Sequence, residues 1–121
     1  MNVLSTDVVY SGLRSKSGKC QISRRDPDGS ITRINLADSL KVRRKSPTGF
    51  EWGYAGSGPA QTAIALLLDF TGDPELANQL FQDFKFLIVG SLAEKRWDLT
   101  GHEIADAIAQ IRAEREKKQC P

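Results

Sequence analysis

Residues 49–72 read Gly-Phe-Glu-Trp-Gly-Tyr-Ala-Gly-Ser-Gly-Pro-Ala-Gln-Thr-Ala-Ile-Ala-Leu-Leu-Leu-Asp-Phe-Thr-Gly, an aromatic segment, a glycine-rich turn and then an apolar run. From residue 59 to 71 the side chains of Ala60, Ala63, Ile64, Ala65, Leu66, Leu67, Leu68 and Phe70 leave almost no polar face. A helix apolar nearly all round belongs in the interior, so this one is expected to lie centrally against a sheet. Pro59 suits the first helical turn, where its missing N–H costs nothing, Ser57 or Gly58 is the expected N-cap, and Gly72 is the expected stop.

Towards the N-terminus the pattern changes to strands. Residues 7–14, 19–25, 30–36, 40–44 and 49–54 are short runs containing Val, Ile, Tyr or Trp, separated by Gly, Pro, Asp and Ser. Asp26-Pro27-Asp28-Gly29 is a turn, because Pro presets φ at its second position and Gly accepts a positive φ. The second and third runs are therefore expected to be antiparallel neighbours. Alternation puts Thr32, Ile34 and Leu36 on one face with Arg33 and Asn35 on the other, and sets Leu40 and Val42 against Lys41, Arg43 and Lys45, predicting a basic sheet face.

Towards the C-terminus, Asp73-Pro74-Glu75 restarts a helix with an N-cap, a proline and a first-turn acid. Its apolar stripe is Leu76, Leu80, Phe84, Leu87 and Ile88, although residues 84–89 alone also fit a strand. Thr100-Gly-His-Glu103 has the form of a capping box ahead of Ile104, Ile108 and Ile111. The expected architecture is α+β, one domain over 1–121: an antiparallel meander of about five strands (β-rich 7–54) packed on a buried central helix with two further helices (helical 58–117).

Charge is divided along the chain. Residues 1–50 hold ten Lys and Arg against four acids, and residues 51–121 hold seven against eleven. A basic first half implies an anionic partner, whether a nucleotide, a nucleic acid or an acidic protein surface. No run reaches the roughly 18 apolar residues of a membrane span, and the first residues lack the pattern of a secretory signal, so a soluble cytoplasmic protein is expected. Cys20 and Cys120 are then expected to be reduced thiols, with a disulfide between them the alternative.

The inventory for catalysis is thin. His102 is the single histidine and sits in the capping box; no His/Cys metal spacing, serine elbow or phosphate loop occurs. No catalytic residue, no metal and no cofactor is expected. The junction at residues 52–61 is a better candidate for binding. Gly56 and Gly58 permit close backbone approach, the helix start favours an anion, Ser57 and Gln61 offer neutral hydrogen bonds, and Trp52 and Tyr54 offer ring faces. Close packing alone would also explain such a turn. Arg14, Arg43 and Arg96 complete the expected ligand-binding set, since planar guanidinium groups suit bidentate phosphate contacts.

With residues 50–61 (Phe-Glu-Trp-Gly-Tyr-Ala-Gly-Ser-Gly-Pro-Ala-Gln), the Ala/Leu helix, Phe81-Gln-Asp-Phe-Lys85 and Trp97-Asp-Leu-Thr100, the chain resembles an uncharacterised family of small phage and bacterial domains over about residues 8–111. More loosely it resembles the phage sponges that sequester cyclic ADP-ribose signals of the Thoeris defence. That resemblance implies a non-enzymatic homo-oligomer that binds a phosphorylated, nucleotide-like small ligand. The alternative is a basic-faced protein that binds nucleic acid or inhibits a defence complex, in the manner of an anti-CRISPR. A plain protein-docking module is the third reading.

Overall fold

A computed structural model describes residues 5–119 of the chain. The elements run β1 (Val9–Arg14), β2 (Cys20–Arg25), β3 (Ile31–Arg33), α1 (Leu36–Val42), α2 (Ser57–Thr71), α3 (Pro74–Leu87), a 3₁₀ turn (Val89–Ser91), β4 (Arg96–Thr100) and α4 (Gly101–Gln119). The expected α+β class holds, with four antiparallel strands in the order β3-β2-β1-β4. In the β2–β3 turn the Gly29 N–H donates to the Asp26 carbonyl at 2.9 Å, with Gly29 at φ +90°.

The five-strand meander is corrected at two places. Residues 40–44 were expected as a strand, yet Leu36–Val42 is helical: the Asn35 side chain caps it by accepting from the Ala37 N–H at 2.8 Å, and Ser39 is its buried residue. A strong local cap outweighs a short apolar alternation. Residues 49–54 pass through bends without joining the sheet, and the fourth strand comes instead from Arg96–Thr100, after α3. It pairs with β1, matching Gly12 with Trp97 and Tyr10 with Leu99.

The helical half follows the expected pattern more closely. Every α2 residue from Gly58 to Leu67 is buried, and Gly72 ends the helix at φ +67°. The N-cap is Gly56, one residue before Ser57, and no side chain caps this end. Asp73 caps α3 by accepting from the Glu75 and Leu76 N–H groups, and Leu76, Leu80 and Phe84 face inward. The capping box closes as expected: the Thr100 N–H donates to Glu103 Oε1, and the Glu103 N–H donates to Thr100 Oγ1, both at 3.1 Å. Among the described residues no helix is long and apolar enough to cross a membrane.

The helices cover one face of the sheet. Tyr10, Ile22, Trp97 and Leu99 point into that core and are 0–5% exposed. Each such large side chain taken from water contributes roughly 1.5–3 kcal/mol before entropy is counted. The opposite face carries Leu13, Ser23, Arg25, Ile31, Arg33 and Arg96, with Leu13 and Ile31 more than half exposed. The expected basic face is thereby divided. Arg33 lies on the sheet, whereas Lys41 belongs to α1, and Arg43 and Lys45, which follow it, reach over the Phe81 ring at 5.8 Å.

An ion network ties the sheet to the end of α2. The Tyr10 hydroxyl donates to Asp69 Oδ2 at 2.7 Å, while Arg24 Nη1 donates to both Asp69 oxygens and Arg24 Nε to Asp26 Oδ1 at 2.9 Å. Burial and the Asp69 carboxylate push the Tyr10 hydroxyl well above the ordinary tyrosine value.

Candidate functional site

The glycine-rich junction forms one wall of a cleft of about 320 Å³ bounded by Arg14, Glu51, Trp52, Gly53, Tyr54, Leu92 and Glu94. Gly53 turns the chain at φ +85°, a conformation that disfavours other residues, and its N–H donates to the Val89 carbonyl at 3.1 Å. That turn swings Tyr54 outward. Its ring is 51% exposed and packs beside Gly56, with its hydroxyl close to Gly58.

Trp52 sits in the opposite environment. It is 1% exposed, its indole N–H donates to the Glu94 carbonyl at 2.9 Å, and it meets Trp97 edge to face at 5.3 Å. It is the floor of the cleft. Arg14 lies across its ring with the guanidinium carbon 5.4 Å from the centroid. Arg14 also grips Glu51, Nη1 donating to Oε2 at 2.9 Å with Nη2 2.8 Å from Oε1, while Nε donates to the Glu94 carbonyl at 3.0 Å. Three of its five N–H groups are turned to Glu51 and Glu94, and the other two have no partner among the described residues. The Arg14 guanidinium holds the Glu51 carboxyl below the usual carboxylate range. A depressed folded value means that Glu51 stabilises the fold above that range, and that this share is lost as pH falls through the folded value.

The start of α2 lies beside this pair. Ser57 is exposed, no acid occupies the first turn, and no side chain caps the amides there. Gly58 is buried because the Glu51 stem lies against it, where a Cβ would collide with Glu51. The Glu51 backbone is fixed there too, its N–H and C=O both engaging the Thr62 hydroxyl at 3.1 and 2.7 Å.

Of the residues expected to bind, Arg14, Trp52 and Tyr54 line this cleft, though Trp52 is buried beneath Arg14 and offers no free ring face. Gly56 and Gly58 pack beside Tyr54, and Ser57 is exposed at the helix start outside the lining. Gln61, Arg43 and Arg96 lie elsewhere. Gln61 is completely buried and fully engaged: its oxygen accepts from the Lys45 and Ser46 N–H groups at 2.7 and 2.9 Å, and its nitrogen donates to Ser39 Oγ and the Arg43 carbonyl at 2.8 and 3.1 Å. Arg43 is directed to Asn78 and Phe81, and Arg96 lies on the uncovered sheet face. Sequence reasoning missed Glu51 and Glu94. Glu51 was visible as an acid between Phe50 and Trp52, but its pairing with Arg14 spans 37 residues and has no local signature.

His102 is exposed, with Nε2 3.7 Å from Asp7 Oδ1. Among the described residues no group of three or more His, Cys, Asp or Glu could hold a metal ion. Cys20 is a free, half-buried thiol; Cys120 lies outside the described residues. Burial pushes the Cys20 thiol up to about 11. Alkylation of the Cys20 peptide in the folded chain, followed by mass spectrometry, is therefore expected to rise with pH towards that value, against about 8.5 for an unfolded cysteine. A folded-state midpoint no higher than the denatured one would contradict this burial.

Fold and cleft together define a small α+β domain with an antiparallel sheet covered on one face by helices. Residues 10–110 match a family of unknown function, DUF6166, and the chain belongs to that family. No curated protein and no solved structure matches it.

Proposed function

We propose that the chain is a non-catalytic binding protein for a small phosphorylated, nucleotide-like ligand held in the cleft between Tyr54, Arg14 and the start of α2. The observation that carries this reading is Tyr54, a half-exposed ring standing beside an uncapped helix start. A base stacked on such a ring gains about 1–3 kcal/mol. The start of α2, with no side-chain cap and no acid in its first turn, favours the phosphate through the helix dipole, and the remaining Arg14 donors add a charged contact. A cleft of about 320 Å³ is at the lower end of the size that small ligands use. In its sharpest form the reading makes the protein a phage anti-defence sponge that sequesters a cyclic ADP-ribose signal in the cytoplasm without turning it over.

A second reading rests on Arg25, Arg33 and Arg96, which share the uncovered sheet face and suit a nucleic acid or an acidic defence protein. One experiment separates the two. Thermal unfolding is followed with nucleotides, cyclic nucleotides, cyclic ADP-ribose isomers and short oligonucleotides near millimolar concentration. A ligand that binds only the folded chain raises its stability by about 2.7 kcal/mol at a hundred times its Kd, a rise of several degrees. The cleft reading expects that rise with a mononucleotide-sized ligand, reduced roughly tenfold in affinity by Tyr54→Ala. A rise with oligonucleotides alone, fading steeply with salt, would favour the sheet face. No rise with any of them would sink the cleft reading and the nucleic-acid form of the second, leaving a protein partner for the sheet face.

A further inference from the structure

β4 is an edge strand whose unpaired backbone groups lie only in its middle. The Arg14 N–H donates to the Lys95 carbonyl at 2.9 Å and the Gly101 N–H to the Val8 carbonyl at 2.8 Å. The alternation of an antiparallel ladder then turns the backbone of Trp97 and Leu99 towards β1, and that of Arg96 and Asp98 away from the sheet. Both ends of this outer row are occupied. The Glu94 carbonyl accepts from Trp52 and Arg14, and the Thr100 N–H donates to Glu103. Among the described residues, the N–H and C=O groups of Arg96 and Asp98 have no backbone partner, and both residues are exposed.

We propose that the chain forms a two-fold symmetric dimer by antiparallel pairing of β4 with β4 of a second copy, making one continuous eight-stranded sheet. The strand is self-complementary in a single register. A two-fold axis through Trp97 sets Arg96 opposite the partner's Asp98 and Asp98 opposite the partner's Arg96. Each pair exchanges two backbone hydrogen bonds, four in all, and each brings opposite charges together on the outer face. An axis through Arg96 would place Arg against Arg and meet the occupied Glu94 carbonyl. An axis through Asp98 would place Asp against Asp and meet the occupied Thr100 N–H. Asp98 keeps Oδ2 for the contact, since Oδ1 accepts from the Ser11 hydroxyl at 2.6 Å. The other sheet edge lacks this match, because β3 has three residues and pairing about Thr32 would set Ile31 against Arg33. Open strand edges attract such pairing unless something blunts them.

Sedimentation equilibrium of the full chain is expected to give twice 13.4 kDa. Arg96→Asp and Asp98→Arg, made singly, place like charges opposite one another twice and should raise the dissociation constant on the order of tenfold or more. The double exchange R96D/D98R should restore the dimer. Mixing the two single variants should yield a heterodimer, because each then supplies the charges that the other lacks. Amide exchange at Arg96 and Asp98 in the unaltered chain should slow as protein concentration rises, a readout that needs no variant. A monomeric unaltered chain, a dimer indifferent to both reversals, or exchange at these amides independent of concentration would overturn the proposal.

Discussion

Replacing Gln61 by Leu is expected to lower stability by about 3 kcal/mol or more, measured by urea unfolding, with little change in overall volume. The amide of Gln61 joins α2 to α1 and the segment that follows it, using both its oxygen and its nitrogen on Lys45, Ser46, Ser39 and Arg43. A leucine there faces two backbone N–H groups and one carbonyl with hydrocarbon. Each buried polar group left unmade costs about 1–3 kcal/mol. Gln61→Glu should fare little better, since it keeps the acceptors but loses both donors and brings a carboxylate to a position with no exposure. A loss below about 1 kcal/mol would mean that residues 43–46 move out to water at small cost.

Gly12→Ala is the second large effect, about 2–3 kcal/mol of destabilisation with altered tryptophan fluorescence. Gly12 lies opposite Trp97 across the β1–β4 ladder, and a Cβ built there would overlap the Trp97 indole. The indole cannot easily retreat, because it is 5% exposed and stands edge to face with Trp52. Its N–H has no hydrogen-bond partner in this packing, so the ring is held by shape. Trp97→Leu should make room for the added methyl. The double variant is expected to be more stable than the sum of the single effects, and simple additivity would contradict the contact.

The buried α2 helix, the Asp73 cap and the Thr100/Glu103 box were legible because each signal is complete within a few residues. The Asp26–Gly29 turn was legible for the same reason. Leu36–Val42 was misread because Leu40, Val42 and their basic neighbours satisfy a two-residue alternation as well as a helical one, and the Asn35 cap decides between them. β4 was not counted among the strands because Arg-Trp-Asp-Leu-Thr, though extended, is short and becomes a strand only by pairing with β1, more than eighty residues earlier in the chain. At the cleft, residues 52–58 were marked by their glycines and aromatics. The opposite fates of Trp52 and Tyr54, two residues apart, depend on the Gly53 turn and on the distant Glu94 carbonyl. Gln61 drew attention as a polar group at a helix start, but its role is internal.

Amide and side-chain NMR shifts of the full chain, followed while a nucleotide panel that includes cyclic ADP-ribose isomers is titrated in, test the central claim most directly. The account predicts saturable changes concentrated at Gly53–Gly58 and at Arg14 Nε, with Arg25 and Arg33 unaffected. Changes confined to the uncovered sheet face, or none at any residue near millimolar ligand, would contradict it.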